Sequence, residues 1–337
     1  MMAQMTRRQA LVTGSALLFA PRLAVAAPTD TVRFGVLYPN LTTVIHEIAK
    51  ETGAYAKHNL NVVETRFKSG QTVEGVEQLW RGNLEFYMGG APEVPRLNSR
   101  LVESGQPAPL AVVSGANPGH TSLVLSNKLQ PKTINDILDK KLKIAVSSPS
   151  SVHLAFFRGY LKTELKRPIN SIPWQFLKVE GGSMVPALLT GQIDGFLHSE
   201  PTTTLAIVEK AGHLFMQAAR GDMGPNPPPA TFMASRHKFM AEKNDVAKRF
   251  MRAIFDANES FKKAPKADMV KIIADWSGQK DDIVEKAYER MNPTTSMTKA
   301  QAQKWWDIIG TTMVERGELS PKLKPFPDVF DLSLQPL

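Results

Sequence analysis

The sequence predicts an α/β protein built as two matching lobes, and three observations carry this. Strand-period and helix-period segments alternate along most of the chain. Two segments more than 100 residues apart repeat one pattern without a gap. The length of 337 residues is comfortable for two domains.

The elements follow in order. Val32–Leu37 reads as a first strand, ended by Tyr38-Pro39-Asn40. A helix is predicted over 42–56, with Val44, Ile45, Ile48 and Ala49 on one face. The alternation of Val63, Thr65 and Phe67 marks a second strand. A helix over 72–81 ends at Gly82, a third strand spans 84–88, and a helix spans 92–103. This order implies a mainly parallel sheet covered on both faces. Short strands at 110–113 and 122–125 then flank Gly115–Gly119, where the chain is expected to cross into a second lobe.

Alternation resumes beyond the crossing. Thr133-Ile134-Asn135-Asp136 has the spacing of a capping box. Strands are predicted at 143–146, 174–179, 193–197 and 214–218, and helices at 151–165, 183–190 and after Pro201. The stiff, turn-rich run Gly221–Pro229 is the expected second crossing. A strand at 231–235, mostly helix to Arg316 and a Pro-rich surface tail at 321–327 complete the chain. The expected organisation is thus a segment 1–26, a first lobe begun by 27–115, a second lobe at 116–227, and a return at 228–337.

The internal echo runs from Val76 to Pro92 and from Val185 to Pro201. Valine, leucine, glycine and proline recur at matching places, and Asn83/Gln192, Leu84/Ile193 and Glu85/Asp194 are like for like. Each copy reads as a helix ended by glycine, a polar turn, a short buried strand, then a loop and a proline-started helix. Each loop therefore leaves the carboxyl end of a strand, where open α/β sheets bind ligands.

Composition narrows the chemistry. Hydrophobic residues are 42% and charged residues 22%, which suits a buried core. The absence of cysteine excludes disulfides, thiolate metal sites and a cysteine nucleophile. Arg7-Arg8, the apolar run Ala10–Ala20 and Ala24-Val25-Ala26 read as a cleavable export signal, too short for a membrane anchor. The run Thr6–Leu11 fits either a twin-arginine or an ordinary secretory signal. Removing 1–26 takes three arginines from the formal charge of +9, leaving a mildly basic protein without the basic-aromatic stripe that nucleic acid needs. No later apolar run reaches a membrane span, so the mature chain is expected not to be embedded.

These features together resemble the periplasmic binding proteins for nitrate, sulfonates, taurine and thiamine-precursor pyrimidines. The residues carrying the resemblance are Tyr38-Pro39, Gly82–Glu85, Thr133–Leu138 followed by Lys141–Val146, the serine loop after it, and Gly191–Asp194 leading to Glu200-Pro201. One departure is Lys140-Lys141, which lacks the usual preceding glycine. The resemblance implies a type II periplasmic-binding-protein fold, with two Rossmann-like lobes, two hinge strands and a ligand cleft between them. It further implies a monomer that closes on a small solute and is recognised by an ABC permease and its ATPase subunits, with no cofactor. A solute sensor serving a membrane receptor is an alternative. A pyrimidine-synthase-like enzyme of the same fold is disfavoured, because those enzymes use a cysteine-rich stretch and this chain has no cysteine.

Candidate ligand contacts follow from the loops. Ser147–Ser151 ends a strand and opens a helix, so it is either an anion cradle or an N-cap with spare serines; Ser150 and Ser151 are the expected contacts, with Val152 and His153 as further N–H donors. Tyr38, Pro39 and Asn40 end the first strand, where an aromatic can stack on a ligand or lie half-buried. Gly90 and Ala91 are small enough for close ligand approach. His198 and Glu200 follow the matching strand. Glu200 reads either as an acceptor for a ligand amine, as the resemblance implies, or as a first-turn acid favoured by the helix dipole. Ser114 sits at the first crossing, and Arg96 falls inside a predicted helix and is left out. The seven histidines show no metal-pair spacing, and no zinc helix, phosphate loop or nucleophile elbow is present, so neither a metal nor catalysis is expected.

Overall fold

The computed structural model describes residues 29–335 apart from 69, 119 and 294; the expected export signal at 1–26 lies outside them. Among the described residues, ten strands occur in chain order. They are β1 (Asp30–Leu37), β2 (Leu60–Phe67), β3 (Phe86–Gly90), β4 (Leu110–Pro118), β5 (Ser122–Ser126), β6 (Lys143–Val146), β7 (Gln175–Lys178), β8 (Gly195–His198), β9 (Gly212–Gln217) and β10 (Pro229–Arg236). They form two sheets of the same design, ordered β2-β1-β3-β10-β4 and β7-β6-β8-β5-β9. In each, three strands run parallel. The fourth, β10 or β5, is antiparallel to both its neighbours. The chain passes between the sheets from β4 to β5 and from β9 to β10.

The echo is realised residue by residue. Gly82 and Gly191 both adopt positive φ, 83° and 74°, which turns the chain out of the helix where an L side chain would be strained. The acid that follows then pins the neighbouring strand. The carboxylate of Glu85 accepts from the Arg33 N–H at 2.7 Å, and that of Asp194 accepts from the Lys143 N–H at 2.8 Å. The two backbone N–H groups return the bond to the same residues, Glu85 to the Arg33 carbonyl and Asp194 to the Lys143 carbonyl. Each acid thus fixes its strand's register at the start, which sets where the loop emerges at the other end.

Tyr87 explains how the first sheet meets its helix. A Cβ added at Gly35, Gly75 or Gly89 would meet the Tyr87 ring at under 3.0 Å, so three glycines leave a slot for one buried aromatic. The helix Thr72–Trp80 thereby lies close on β3, with the Thr72 methyl near Gly90.

Three local expectations are corrected. The helix over 42–56 is divided: Gly53, at φ 72°, ends Ile45–Glu51 and starts Ala54–Lys57. The strand at 110–113 continues through the expected crossing to Pro118, because β10 supplies a ladder along its whole length. Thr133 does not cap; the Asp136 carboxylate accepts from the N–H groups of Lys132 and Thr133, both at 2.8 Å, which is half of a capping box. The Pro-rich run 321–327 lies mostly at the surface, with Leu323 buried, and the residues just beyond it form a packed segment. Val112 donates to the Val329 carbonyl at 2.8 Å, and Asp331 donates to the Val112 carbonyl at 3.0 Å. Phe330 packs on Phe232 and Trp305. The segment covers the exposed edge of β4, whose backbone groups need partners.

Candidate functional site

The carboxyl ends of β1 and β3 in one sheet face those of β6 and β8 in the other, and a cavity of about 70 Å³ lies between them. Leu37, Asn40, Gly90 and Thr231 line it from the first sheet's side. The serine loop, Val152, His153, His198 and Ser199 line it from the second. A water needs roughly 10–15 Å³ on this measure. The space therefore holds a handful of waters or a solute of a few heavy atoms.

The serine loop is held in three ways. Ser151 is the N-cap of the helix Val152–Thr163 and accepts from the His153 N–H at 3.3 Å. The hydroxyls of Ser148 and Ser150 bond each other at 3.0 Å. Arg96, from the helix Glu93–Glu103 of the other sheet's layer, donates to the Ser150 carbonyl at 3.1 Å. The same guanidinium holds the buried Glu93 carboxylate at 2.8 Å and Glu318 at 2.7 Å. Arg96 was left out on sequence grounds, yet it ties the two sides of the cleft together. Its signal, an arginine one turn after Glu93, was indistinguishable from a surface i,i+3 pair.

Two imidazoles form the rest of the second wall. The rings of His153 and His198 lie 5.4 Å apart. His153 Nδ1 bonds the Thr121 hydroxyl at 3.1 Å, and His198 Nδ1 points at the Ser199 carbonyl at 3.4 Å. Burial holds both in the neutral form, His153 well below the usual histidine range and His198 down to about 4. His198 packs against the start of the helix Gly181–Leu189, where a Cβ on Gly181 would lie 3.2 Å from its Nε2. Ser199 is 1% exposed and its hydroxyl has no hydrogen-bond partner among the described residues. A buried polar atom lining a cavity in this way is satisfied when something occupies the cavity.

Of the expected contacts, Asn40, Gly90, Ser150, Ser151, Val152 and His198 come together around the cavity. Five do not line it. Strand alternation points Leu37 inward and Tyr38 away, so the Tyr38 ring packs edge-on to Trp276 at 5.3 Å beneath the Arg66 guanidinium. Pro39 is exposed in the turn. Ala91 is buried behind the wall and donates to the Ala230 carbonyl at 3.2 Å. Ser114 is fully buried within the β4–β10 ladder. Glu200 is engaged elsewhere: it accepts from Arg290 Nε at 2.7 Å and from the Thr204 N–H at 3.0 Å. Its partner lies 90 residues ahead, beyond the reach of local patterning. Thr42, Thr72 and Thr231, by contrast, line the cavity without having been singled out; Thr231 donates to the Thr42 hydroxyl at 3.2 Å.

The comparisons with known proteins bear on family and fold. The profile of the NMT1-like family matches residues 25–274, well over half of the chain. The chain belongs to the NMT1-like family. No curated protein sequence matches. Among solved structures, the periplasmic aliphatic sulphonate binding protein SsuA of Escherichia coli superposes with a TM-score of 0.69 at 14% identity, over 87% of this chain and 94% of that one. The periplasmic nitrate-binding protein NrtA of Synechocystis gives 0.69 at 16% identity, over 91% and 87%. The alkanesulfonate-binding protein SsuA of Xanthomonas axonopodis, bound to MOPS, gives 0.65 at 18% identity, over 90% and 99%. These likenesses establish the two-lobed periplasmic-binding-protein fold for this NMT1-like chain. The neighbours are binding proteins by name, not enzymes. Among the described residues, no helix is long and apolar enough to cross a membrane.

Proposed function

We propose that this NMT1-like protein is the solute-binding component of an ABC-type importer and holds a small singly charged acid, or the acidic head of one, between its lobes. One observation carries the reading. A cavity at the carboxyl ends of four strands is lined by hydroxyl-bearing residues, a capped helix N-terminus and Ser199, whose buried hydroxyl is unpartnered among the described residues. Helix N-termini and hydroxyls favour negative charge. Among the described residues no lysine or arginine lines the cavity, and the one acid that does, Glu93, is neutralised by Arg96. A monoanion such as a sulfonate or carboxylate fits these neutral donors, whereas a dianion would lack countercharge.

Export to the periplasm, delivery to a permease with its ATPase, a monomeric state and the absence of any reaction in the cavity belong to the same reading. So do lobes running through 27–115 with 228–337 and through 116–227, hinged at the two crossings. The named functions of the structural neighbours support it.

The test is thermal unfolding of residues 27–337 against nitrate, methanesulfonate, taurine, acetate, benzoate, an aminopyrimidine and sulfate. A solute at 100 times its dissociation constant stabilises by about 2.7 kcal/mol. At roughly 2–4 °C per kcal/mol, the midpoint should rise by several degrees for at least one monoanion and stay unmoved for sulfate. Stabilisation by sulfate alone, or by the aminopyrimidine alone, would refute the monoanion reading.

A further inference from the structure

Away from the cavity, the helix Ile45–Glu51 and the edge strand β2 bring His46, Glu47 and Glu64 together. One ring nitrogen of His46 and one carboxylate oxygen from each glutamate lie within 4.8 Å of one another. We propose that these three residues bind a divalent transition cation, zinc foremost, which fastens the helix to the strand.

An account of the surrounding hydrogen bonds singles out the donor atoms. His46 Nδ1 is engaged by the Tyr55 hydroxyl at 2.9 Å. Lys50 holds Glu47 Oε1 at 2.8 Å, and Arg66 holds Glu64 Oε1. Each residue keeps one atom for a common centre: His46 Nε2, Glu47 Oε2 and Glu64 Oε2. Two of these, Nε2 and the Glu64 oxygen, face each other at 2.8 Å, a distance bridged by a proton when no metal is present. The third, Glu47 Oε2, is buried and has no hydrogen-bond partner among the described residues, on a side chain only 7% exposed. A carboxylate oxygen in that position needs a cation or a donor.

The outer contacts are those a metal site requires. A ligating histidine is oriented by a bond from its other ring nitrogen, which Tyr55 provides, and ligating carboxylates are themselves hydrogen-bonded, as Lys50 and Arg66 do here. The cation takes the place of the hydrogen between His46 Nε2 and Glu64, and the ligating neutral imidazole carries its hydrogen on Nδ1, facing the Tyr55 oxygen. One imidazole with two carboxylates is a donor set for zinc rather than for calcium or magnesium, which prefer oxygen alone. Three protein ligands leave a fourth position for water. Glu64 is partly exposed on an edge strand, which gives the ion a way in. None of the three residues lines the solute cavity, so this site stands or falls apart from the proposed function.

The test is calorimetric titration of EDTA-treated residues 27–337 with zinc chloride, alongside calcium chloride, and the visible spectrum after cobalt(II) addition. One equivalent of zinc should bind, calcium should not, and cobalt should give the intense bands of a four-coordinate nitrogen–oxygen site. Tyr55→Phe should weaken zinc by ~10-fold or more, the effect of losing an outer partner. Glu47→Gln and Glu64→Gln should weaken it further, with unchanged far-UV circular dichroism. Absence of stoichiometric zinc binding would overturn the proposal. So would affinity unchanged in Tyr55→Phe and in whichever glutamine variant folds, since the ion would then sit on a surface histidine such as His58 or His237.

Discussion

Acidification from pH 7 to pH 4 is expected to remove most of the protein's stability. Three histidines, His120, His153 and His198, are buried around the first crossing and the cavity wall. Burial lowers all three, His120 and His198 to about 4, and neighbouring His198 and His120 lower His153 further. His120 Nε2 has no hydrogen-bond partner among the described residues, so nothing in the fold offsets its protonation. In the unfolded chain each titrates near 6.5. Between about pH 6.5 and 4 the unfolded state therefore binds more protons than the folded one, and stability falls as pH falls. The contribution is fully present above 6.5 and is lost by about 4. A fall from 6.5 to about 4 corresponds to roughly 3 kcal/mol for each of His120 and His198. That loss is a large share of the 5–15 kcal/mol typical of a domain. Urea midpoints measured from pH 8 to pH 4 should be level above pH 7 and drop steeply below pH 6. His120→Gln should flatten part of that slope, and a pH-independent midpoint would show that the histidines are not held neutral.

The second large effect is expected at Arg290. Its guanidinium bonds Glu200 at 2.7 Å and also the Thr204 hydroxyl, linking the region after the helix Asp281–Tyr288 to the helix Thr202–Val208. Glu200 is 2% exposed. Removing one partner of a buried pair costs about 3–5 kcal/mol, because the other charge is left without compensation. Arg290 itself is about a quarter exposed, so the lower end, about 3 kcal/mol, is expected for Arg290→Ala. The double variant Arg290→Ala/Glu200→Gln should recover a substantial part of the loss, since no buried charge then remains. Equal destabilisation in the single and double variants would mean the cost is packing rather than charge. Glu200 immediately follows Ser199, so the single variant should also weaken solute binding by loosening the cavity wall.

The sequence carried the fold far better than the site. Alternation of periods and the echo between 76–92 and 185–201 sufficed for two matching α/β lobes, because both are local signals carried within short stretches of chain. The likeness of Glu85 and Asp194 was visible, but its purpose was not: each acid bonds a strand more than 50 residues away. The same limit divided the site. Asn40, Gly90, Ser150, Ser151 and His198 sit at strand ends or in the loops just after them, and the α/β rule finds such places without tertiary knowledge. Tyr38 failed on pleat parity, which depends on where β1 pairs with β2 and β3. Glu200 lies off the cavity because Arg290 pairs with it, and the role of Arg96 is not legible locally because Ser150 and Glu318 reach it only through the tertiary fold. The pairing of Val112 with Phe330, more than 200 residues apart, was likewise beyond local patterning.

The central claim is that one solute is gripped from both sheets at once. Ser199→Ala and Thr231→Val test it most directly, one from each side of the cavity, the Thr231 hydroxyl turning from Thr42 to the solute on binding. Ser199 has no hydrogen-bond partner among the described residues, so its removal should leave the free protein's stability unchanged and act only on the bound solute. A hydrogen bond to a charged group is worth about 1.5–3 kcal/mol, or roughly 10- to 100-fold in affinity. Calorimetric titration with the best monoanion should show a loss of about that size in each variant separately. Loss in one variant with full affinity in the other would place the solute on a single lobe, and full affinity in both would put it outside this cavity altogether.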